Sequence, residues 1–382
     1  MKSLCSAFCP PAGEHGDAQG SSNTRDGGAA VSAGIPPGLQ HILALATGQA
    51  KPPGANCSKE EYRSRVAQAL PADVRMFSGC QDSQTSADVG DSSVFILPAD
   101  AGPGGAGGAC TNALLQAIER NPTIAWKDLL ADMCVILKMK HFTQVPQLSA
   151  SKDMSLSTPF TIKKSGQGRT KALFIGINYV GHNPGELRGC HNDVEKMKRF
   201  VIKQGYDESS MKVLMDDGKS TPPTKQEILT ALKWLVQGAK DGDSLFFHYS
   251  GHGTQVPDLN GDEKDGKDEA MVPLDYQKFP GAQGMIIDDD LLKELVVPLP
   301  EGVLLTAVMD CCHSGSILDL PYEFTASDTN MQAGSPIALK PNSDFDFNQL
   351  MRVAMSLYEM HKKGAGTAEI LQQGLRMVQQ KV

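Results

Sequence analysis

Two short polar loops contain the residue types that could do chemistry. The segments SLFFHYSGHG (244–253) and VLLTAVMDCCHSG (303–315) both start as strand-like apolar runs; the first ends near His252 and the second reaches a pair of cysteines. Strand ends in an open α/β sheet are where substrates bind, so an imidazole and a thiol there form a candidate base and nucleophile. The pattern predicts a cysteine hydrolase.

Of the two histidines in the first loop, His252 is the better candidate base. His248 lies inside the apolar run, where a packed, hydrogen-bonded core histidine is expected, whereas His252 lies between two glycines that leave room for a substrate. We therefore expect His252 to act as the general base. The N–H of Gly253, with the N–H of the nucleophile, could stabilise the oxyanion of a tetrahedral intermediate.

The two adjacent cysteines cannot both face the same cleft. Side chains alternate along a strand, so Cys311 and Cys312 should point to opposite faces, and the residues alone leave open which is the nucleophile. The reactive thiol needs a lowered pKa, which a neighbouring imidazole supplies. His313 is adjacent and should point away, so His252 is the expected partner.

Composition excludes several classes of function. The 382 residues carry a net charge of −8 without a basic stripe, so nucleic acid is not an expected partner. No apolar run reaches the ~20 residues that span a bilayer, and the N-terminus lacks a signal-peptide core, which predicts a soluble, cytoplasmic protein. Nine cysteines without paired spacing favour a reducing compartment and exclude a zinc site, with Cys110 and Cys134 as buried apolar residues.

The chain divides into five parts by composition. Residues 1–70, rich in Gly, Ala, Ser and Pro, predict a mobile arm with one short helix near 38–47. Residues 71–162 predict a strand at 75–79, two helices and a strand at 159–162, and 163–170 an exposed linker. Residues 171–320 alternate strands and helices, which predicts a mostly parallel sheet covered on both faces, and 321–382 contain two amphipathic helices.

Six motifs in order resemble one family of peptidases. They are KALFIGINY, LRGCHNDVEKM, HYSGHGTQ, DGKDEAMVPLD, MIIDDD and DCCHSGS, and together they resemble the large catalytic subunit of the metacaspases. Residues 75–89, 108–116 and 146–162 are similar to the family's small subunit, which usually follows the large one. Here it precedes it, as in the type III arrangement.

The resemblance implies a fold and an activity. The fold would be a caspase-hemoglobinase-like α/β sandwich with permuted order of the two subunit-like regions, in which 71–382 form one folding unit. The activity would be hydrolysis after Arg or Lys by a monomeric cysteine endopeptidase, with protein or peptide substrates. An alternative of another class is a non-catalytic calcium-responsive scaffold with the same fold.

The resemblance also assigns site residues. It makes Cys312 the nucleophile, and it places Cys190, Asp193, Ser250 and Asp310 around the substrate's basic side chain, with Asp82 as a further candidate. A buried guanidinium must meet carboxylates, because its desolvation would otherwise prevent binding. The alternative for Asp193 is a purely structural role, as a carboxylate that stabilises the first turn of a helix.

Calcium is the cofactor that the resemblance implies. The acidic run at 258–269 is not an EF-hand, since its sixth position is Glu263 instead of glycine. The family's calcium positions match Asp268, Asp288, Asp289 and Asp319, and hard oxygen ligands suit Ca²⁺. Self-cleavage would need basic sites in loops, and the candidates are Lys163, Lys164, Arg169, Lys171 and Lys219.

Overall fold

The computed structural model describes residues 40–49, 52, 57–80, 88–90, 95–97, 105–258, 266–327 and 337–362. The helices are α1 (Gln40–Ala46), α2 (Lys59–Ala69), α3 (Ala109–Arg120), α4 (Trp126–Met139), α5 (Cys190–Lys203), α6 (Lys225–Val236), α7 (Asp288–Leu291) and α8 (Phe347–Lys362). The strands are β1 (Asp73–Ser78), β2 (Asp88–Val89), β3 (Gly107–Gly108), β4 (Gln147–Ala150), β5 (Thr170–Gly176), β6 (Met211–Met215), β7 (Ser244–Ser250), β8 (Gly253–Pro257), β9 (Lys267–Met271), β10 (Ile286–Ile287), β11 (Leu304–Asp310), β12 (Tyr322–Thr325) and β13 (Lys340–Pro341).

An eight-stranded sheet organises the molecule, in the order β13-β12-β4-β1-β11-β7-β5-β6. Pairing is parallel from β1 to β6 and antiparallel on the other side of β1. The expected mostly parallel sheet is thus confirmed. Strand β1, from before the linker, pairs with β11, from after it. That this order is a permutation relative to other proteins stays a prediction.

Helices cover both faces of the sheet, because successive side chains of each strand point to opposite faces. On one face Met76, Leu173 and Ile175 pack with residues of α1, α6 and α8. On the other face Phe77 and Phe174 pack with residues of α3, α4 and α5. Both cores combine residues from before and after the linker. The start of α6 has the expected cap, since the Thr224 side chain accepts a hydrogen bond from the Glu227 N–H.

The strand expected at 159–162 is wrong. Only Pro159 makes an isolated bridge, to Ala125, and the Phe160 ring packs edge-on against Trp126 at 4.9 Å. The strand that joins β1 is instead β4, whose four residues are all buried. The side chain of Phe160 packs against Trp126 of α4. The segment therefore has the apolar composition of a strand, although it does not join the sheet.

Several other elements were not expected or lie elsewhere. Helix α2 was not predicted and falls inside the segment 1–70, while α1 matches the short helix expected there. The segments 270–275 and 285–287 predict a hairpin, and β9 and β10 form it, although β9 begins and ends earlier, at Lys267 and Met271. A π-helix, Leu292–Val296, continues α7. The first expected C-terminal helix is α8, and the second lies outside the described residues.

Candidate active site

The carboxyl ends of β7 and β11 bring the candidate base and nucleophile to one edge of the sheet. The two strands are parallel neighbours, and Ser250 lies opposite Asp310 in the register. The chain leaves β7 at Gly251–His252 and leaves β11 at Cys311–Cys312. A side chain at Gly253 would collide with the Cys312 carbonyl. The two loops therefore touch where Gly253, the residue after His252, meets the backbone of Cys312.

Burial separates the two cysteines. Cys311 is 1% exposed and belongs to the core that contains α6, whereas Cys312 is half-buried. The Cys311 carbonyl also accepts hydrogen bonds from Ser314 Oγ (3.0 Å) and Cys80 Sγ (3.4 Å). Of the pair, Cys312 is the thiol that a substrate can reach.

Hydrogen bonding fixes the tautomer of His252. Its Nε2 lies 2.6 Å from the carbonyl oxygen of Gly185, which can only accept, so Nε2 carries the proton. In the neutral ring Nδ1 then holds the lone pair. This tautomer is the one that a base oriented by a backbone carbonyl would use.

Tyr179, which the sequence did not single out, holds the backbone of His252. Its hydroxyl accepts a hydrogen bond from the His252 N–H (3.0 Å) and donates to Val272 O (2.7 Å), and its ring lies 4.6 Å from the imidazole. Tyr249 adds a bond from its hydroxyl to His252 O (2.7 Å). Burial and the proximity of Tyr249 raise the pKa of Tyr179 well above its ordinary value, so its hydroxyl stays protonated.

Tyr179 also has a strained backbone conformation. Its φ of 53° is in the left-handed region, where a bulky residue is an outlier. The apolar run at 172–179 predicts a strand that reaches Tyr179, but β5 ends at Gly176, and Tyr179 lies in the segment that follows. Tyr179 ends the apolar run KALFIGINY, so the sequence pattern predicts a strand residue and does not distinguish the tyrosine that contacts His252.

The N–H of Gly253 is available on the side away from β9. Val272 N–H donates to His252 O (3.2 Å), which makes Gly253 and Met271 a pair that exchanges no ladder hydrogen bonds. The amide of Gly253 therefore points away from β9, on a residue that contacts Cys312. An oxyanion formed beside the Cys312 thiol could use it.

The expected pocket residues lie together under the start of α3. The Asp193 carboxylate accepts hydrogen bonds from Ser250 Oγ (2.9 Å) and Gly108 N–H (2.7 Å), and Asp310 accepts one from Thr111 N–H (2.8 Å). Cys190 is buried at the first position of α5. Asp193 lies in the first turn of α5 yet binds groups of other elements, which the helix-start alternative does not explain.

Both carboxylates are hidden from solvent. Asp193 is fully buried, Asp310 is 5% exposed, and a side chain on Gly108 would collide with Asp310. Burial, and then the charge of Asp310, raise the pKa of Asp193 well above its usual value. Asp82 lies outside the described residues. His248 is a buried core histidine as expected, and burial lowers its pKa to about 3.

The four expected calcium positions lie around a buried carboxylate. Asp288 is 1% exposed, and burial, followed by Asp319, Asp268 and Glu269, raises its pKa well above the usual range. Its oxygens accept hydrogen bonds from the N–H groups of Glu269 and Asp289 (both 2.7 Å).

The donor chemistry of this cluster fits a hard divalent cation. Asp319, at a φ of 44°, accepts a hydrogen bond from Gln349 of α8 (3.0 Å), and Ser316 Oγ donates to Glu269 (2.6 Å). Among the described residues no three His, Cys, Asp or Glu side chains stand close enough together to form a metal site as they are. Binding would require these carboxylates to converge.

Comparisons with known proteins agree with the caspase-like fold. A family model described as "Metacaspase, peptidase C14 domain" matches residues 170–321, and one described as "Caspase domain" matches residues 11–155. Metacaspase III c of Phaeodactylum tricornutum is 44% identical over 301 residues, which are 77% of this chain and 86% of that protein.

Fungal relatives match mainly one part of the chain. Metacaspase-1 of Mycosarcoma maydis is 53% identical over 165 residues (43% of this chain, 40% of that protein), and Metacaspase-1A of Aspergillus niger is 44% identical over 208 (52% and 50%). The chain spans half or less of these two relatives. A solved structure from Geobacter sulfurreducens is 26% identical, covers 51% of this chain and 65% of its own, and has a TM-score of 0.31, too low to carry a structural argument.

The sheet and the matches define a caspase-like domain of the cysteine peptidase class. The chain belongs to the metacaspase family, and it is a cysteine-type endopeptidase whose substrates are proteins. No helix among the described residues has the length and apolar character needed to cross a membrane.

Proposed function

We propose that the chain is a calcium-dependent endopeptidase that cleaves after Arg or Lys, with Cys312 as nucleophile and His252 as base. The observation that supports the specificity is a pair of buried carboxylates: Asp310 ends β11, and Asp193 of α5 accepts a hydrogen bond from Ser250 at the end of β7. Two carboxylates in a low-dielectric site bind a cationic side chain and reject an anionic one.

The proposed reaction forms a thioester on Cys312 and then hydrolyses it. Nδ1 of His252 takes the thiol proton of Cys312, and the sulfur forms a bond to the scissile carbonyl carbon. The resulting oxyanion is stabilised by the N–H groups of Gly253 and Cys312. His252 then gives its proton to the leaving amine, and water cleaves the thioester and restores the thiol.

Calcium is proposed as the switch between a closed and an open pocket. The pocket acids are covered in this conformation, and the carboxylates around Asp288 are not yet gathered for a metal. The Glu269–Ser316 hydrogen bond connects that cluster to the loop that follows Cys312. A cation that binds one arrangement of these loops better than the other would shift the population toward it.

Self-processing is proposed at Lys219. Its side chain is exposed in the loop after β6, although Asp217 holds its N–H (2.9 Å). The other candidates are less suited, because Lys171 lies within β5 and Arg169 is bonded to Asp243 through both backbone and guanidinium. Lys163 and Lys164 each donate to a backbone carbonyl. We propose that the enzyme acts as a cytoplasmic monomer, which size-exclusion chromatography would test.

The test is fluorophore release from matched peptides that end in Arg, Lys or Asp, with calcium or with excess chelator. We expect cleavage after Arg and Lys only, only with calcium, and none in Cys312→Ala. Preference for the Asp peptide would refute the specificity. Calcium binding without hydrolysis of any peptide would favour a non-catalytic scaffold.

A further inference from the structure

A lysine lies buried against the acidic pocket. Lys196 is one turn after Asp193 on α5 and is only 1% exposed. Its ammonium donates to Asn112 Oδ1 at 2.9 Å, which joins α5 to α3. A buried ammonium is costly unless acceptors and opposite charge surround it, so the presence of Lys196 here calls for a reason.

The opposite charge is that of Asp193. The position that a Gly107 side-chain carbon would occupy lies 3.0 Å from Asp193 Oδ1 and 3.3 Å from Lys196 Nζ, so both atoms border the same point. Asp193 Oδ1 is buried and has no hydrogen-bond partner, while Oδ2 has two. The free oxygen is therefore the one on the Lys196 side.

The charges of the two side chains influence each other. Lys196 lowers the pKa of Asp193 against the larger effect of burial, and Asp193 raises the pKa of Lys196 against burial. The groups that face Asp193 come from five elements: Lys196 of α5, Asp310 of β11, Cys110 of α3, Ser250 of β7 and the Gly108 N–H of β3. Lys196 is the cation among them.

We propose that Lys196 is a specificity-determining residue, the resident counter-cation of Asp193 and Asp310 with which the basic side chain of a substrate must compete. The inference rests on the proposed specificity for Arg and Lys. When both carboxylates are ionised, the pocket carries one net negative charge with Lys196 and two without it. The lysine thus weakens the attraction for a substrate cation, and in the empty pocket it favours the ionised form of Asp193 against burial.

The test compares peptides that end in Arg with peptides that end in citrulline, its uncharged isostere. In Lys196→Gln, which keeps a donor for Asn112, the Arg-to-citrulline ratio of kcat/KM should rise on the order of tenfold at mildly alkaline pH. The acid limb of that ratio should move to higher pH, because the carboxylate pair now holds its proton more tightly. Lys198→Gln is the matched control, since Lys198 lies on the same helix and pairs with Glu208 away from the pocket.

Each outcome decides the inference. An unchanged ratio and acid limb in a folded Lys196→Gln would overturn it and leave the proposed function intact, whereas a wild-type enzyme that hydrolyses both peptides equally would overturn both. If Lys196→Gln does not fold, Asn112→Asp decides, since a new anion beside Lys196 offsets its charge and should move the ratio in the same direction. Lys196→Arg should keep wild-type behaviour.

Discussion

At the scale of single residues, one position in the loop after β11 separates a buried thiol, Cys311, from a half-buried one, Cys312. Alternation predicted that Cys311 and Cys312 face opposite sides, but it could not say which side is the core. The answer depends on which core each side chain joins, and Cys311 joins the core that contains residues of α1, α6 and α8, which are far from it in sequence. The sequence therefore predicted the pair, and burial distinguishes its members.

Substitution of each cysteine should separate the two roles. We expect Cys312→Ala to abolish hydrolysis and Cys311→Ala to keep it while losing about 1–2 kcal/mol of unfolding free energy, since a buried sulfur is replaced by a cavity. Peptidase assays with denaturant titrations measure both effects. Equal loss of activity in folded samples of both variants would contradict the division.

Tyr179→Phe should lower kcat with little change in KM. The ring contact remains, but the His252 N–H loses its acceptor, while Val272 O keeps only the longer hydrogen bond from Tyr249 (3.4 Å). Roughly a tenfold loss is expected from one badly satisfied site. Steady-state kinetics at several pH values measure the split.

Tyr206→Phe is the matched control for Tyr179, because its buried hydroxyl donates to Ile162 O (2.6 Å), distant from His252. It should lower the melting temperature without lowering kcat. If both variants lose kcat equally, the effect of Tyr179 is structural and not a matter of positioning the base.

Residue-level prediction failed where function depends on turns and helix faces. The sequence pattern makes Tyr179 the last residue of an apolar run. Its left-handed φ and its hydrogen bond with the His252 N–H appear only in the structure. Lys196 occupies a position that looks like the polar face of an amphipathic helix. It is buried because α3, from the early part of the chain, covers that face.

At the scale of elements, strongly periodic segments were predicted well. β5, β7, β11, α4, α5 and α6 agree with their sequence patterns within a few residues. The short strands β4 and β8 were missed because QLSA and GTQVP lack the alternation of a half-buried strand. Their conformation comes from neighbouring strands, a tertiary cause that local patterns do not contain.

The Leu292–Val296 π-helix contains a carboxyl that should make stability depend on pH. Burial raises the pKa of Glu294 from its ordinary 4.5 to about 7, although Lys233 and Lys293 oppose the shift. The folded state then binds the proton more tightly than the unfolded state, so stability is full below pH 4.5 and is lost as pH rises through about 7.

Glu294→Gln should remove this slope, worth roughly 3 kcal/mol across the window. Denaturant unfolding at a series of pH values measures it. Glu301→Gln, an exposed change nearby, is the control that should keep the slope. A slope that survives in Glu294→Gln would assign the effect to another group.

At the scale of the whole molecule, the two parts of the chain share one sheet. β1 pairs with β11 over six residues, and Ser151 N–H and Asp73 N–H add backbone bonds at its start. The resemblance implied that 71–382 form one folding unit. The position of β1 inside the sheet, with β4 beyond it, gives that suggestion its physical basis.

Cleavage of the linker should not separate the two parts. A protease recognition sequence inserted at Gly166, where the glycine faces open space, can be cut after folding. The fragments should co-elute on size exclusion and retain activity, because the β1–β11 pairing and both cores remain buried. Separate elution of the fragments without denaturant would contradict a shared core.

The placement of β1 has a consequence for synthesis on the ribosome. Cys80 and Cys311, which meet at the end of the β1–β11 pair, are 231 residues apart in the chain. Strand β1 thus leaves the exit tunnel long before β11 exists, and the edge that pairs with β11 must wait without its partner. We expect the nascent chain to depend on chaperones during that interval, and the loops after β7 and β11 to meet only once β11 has been made.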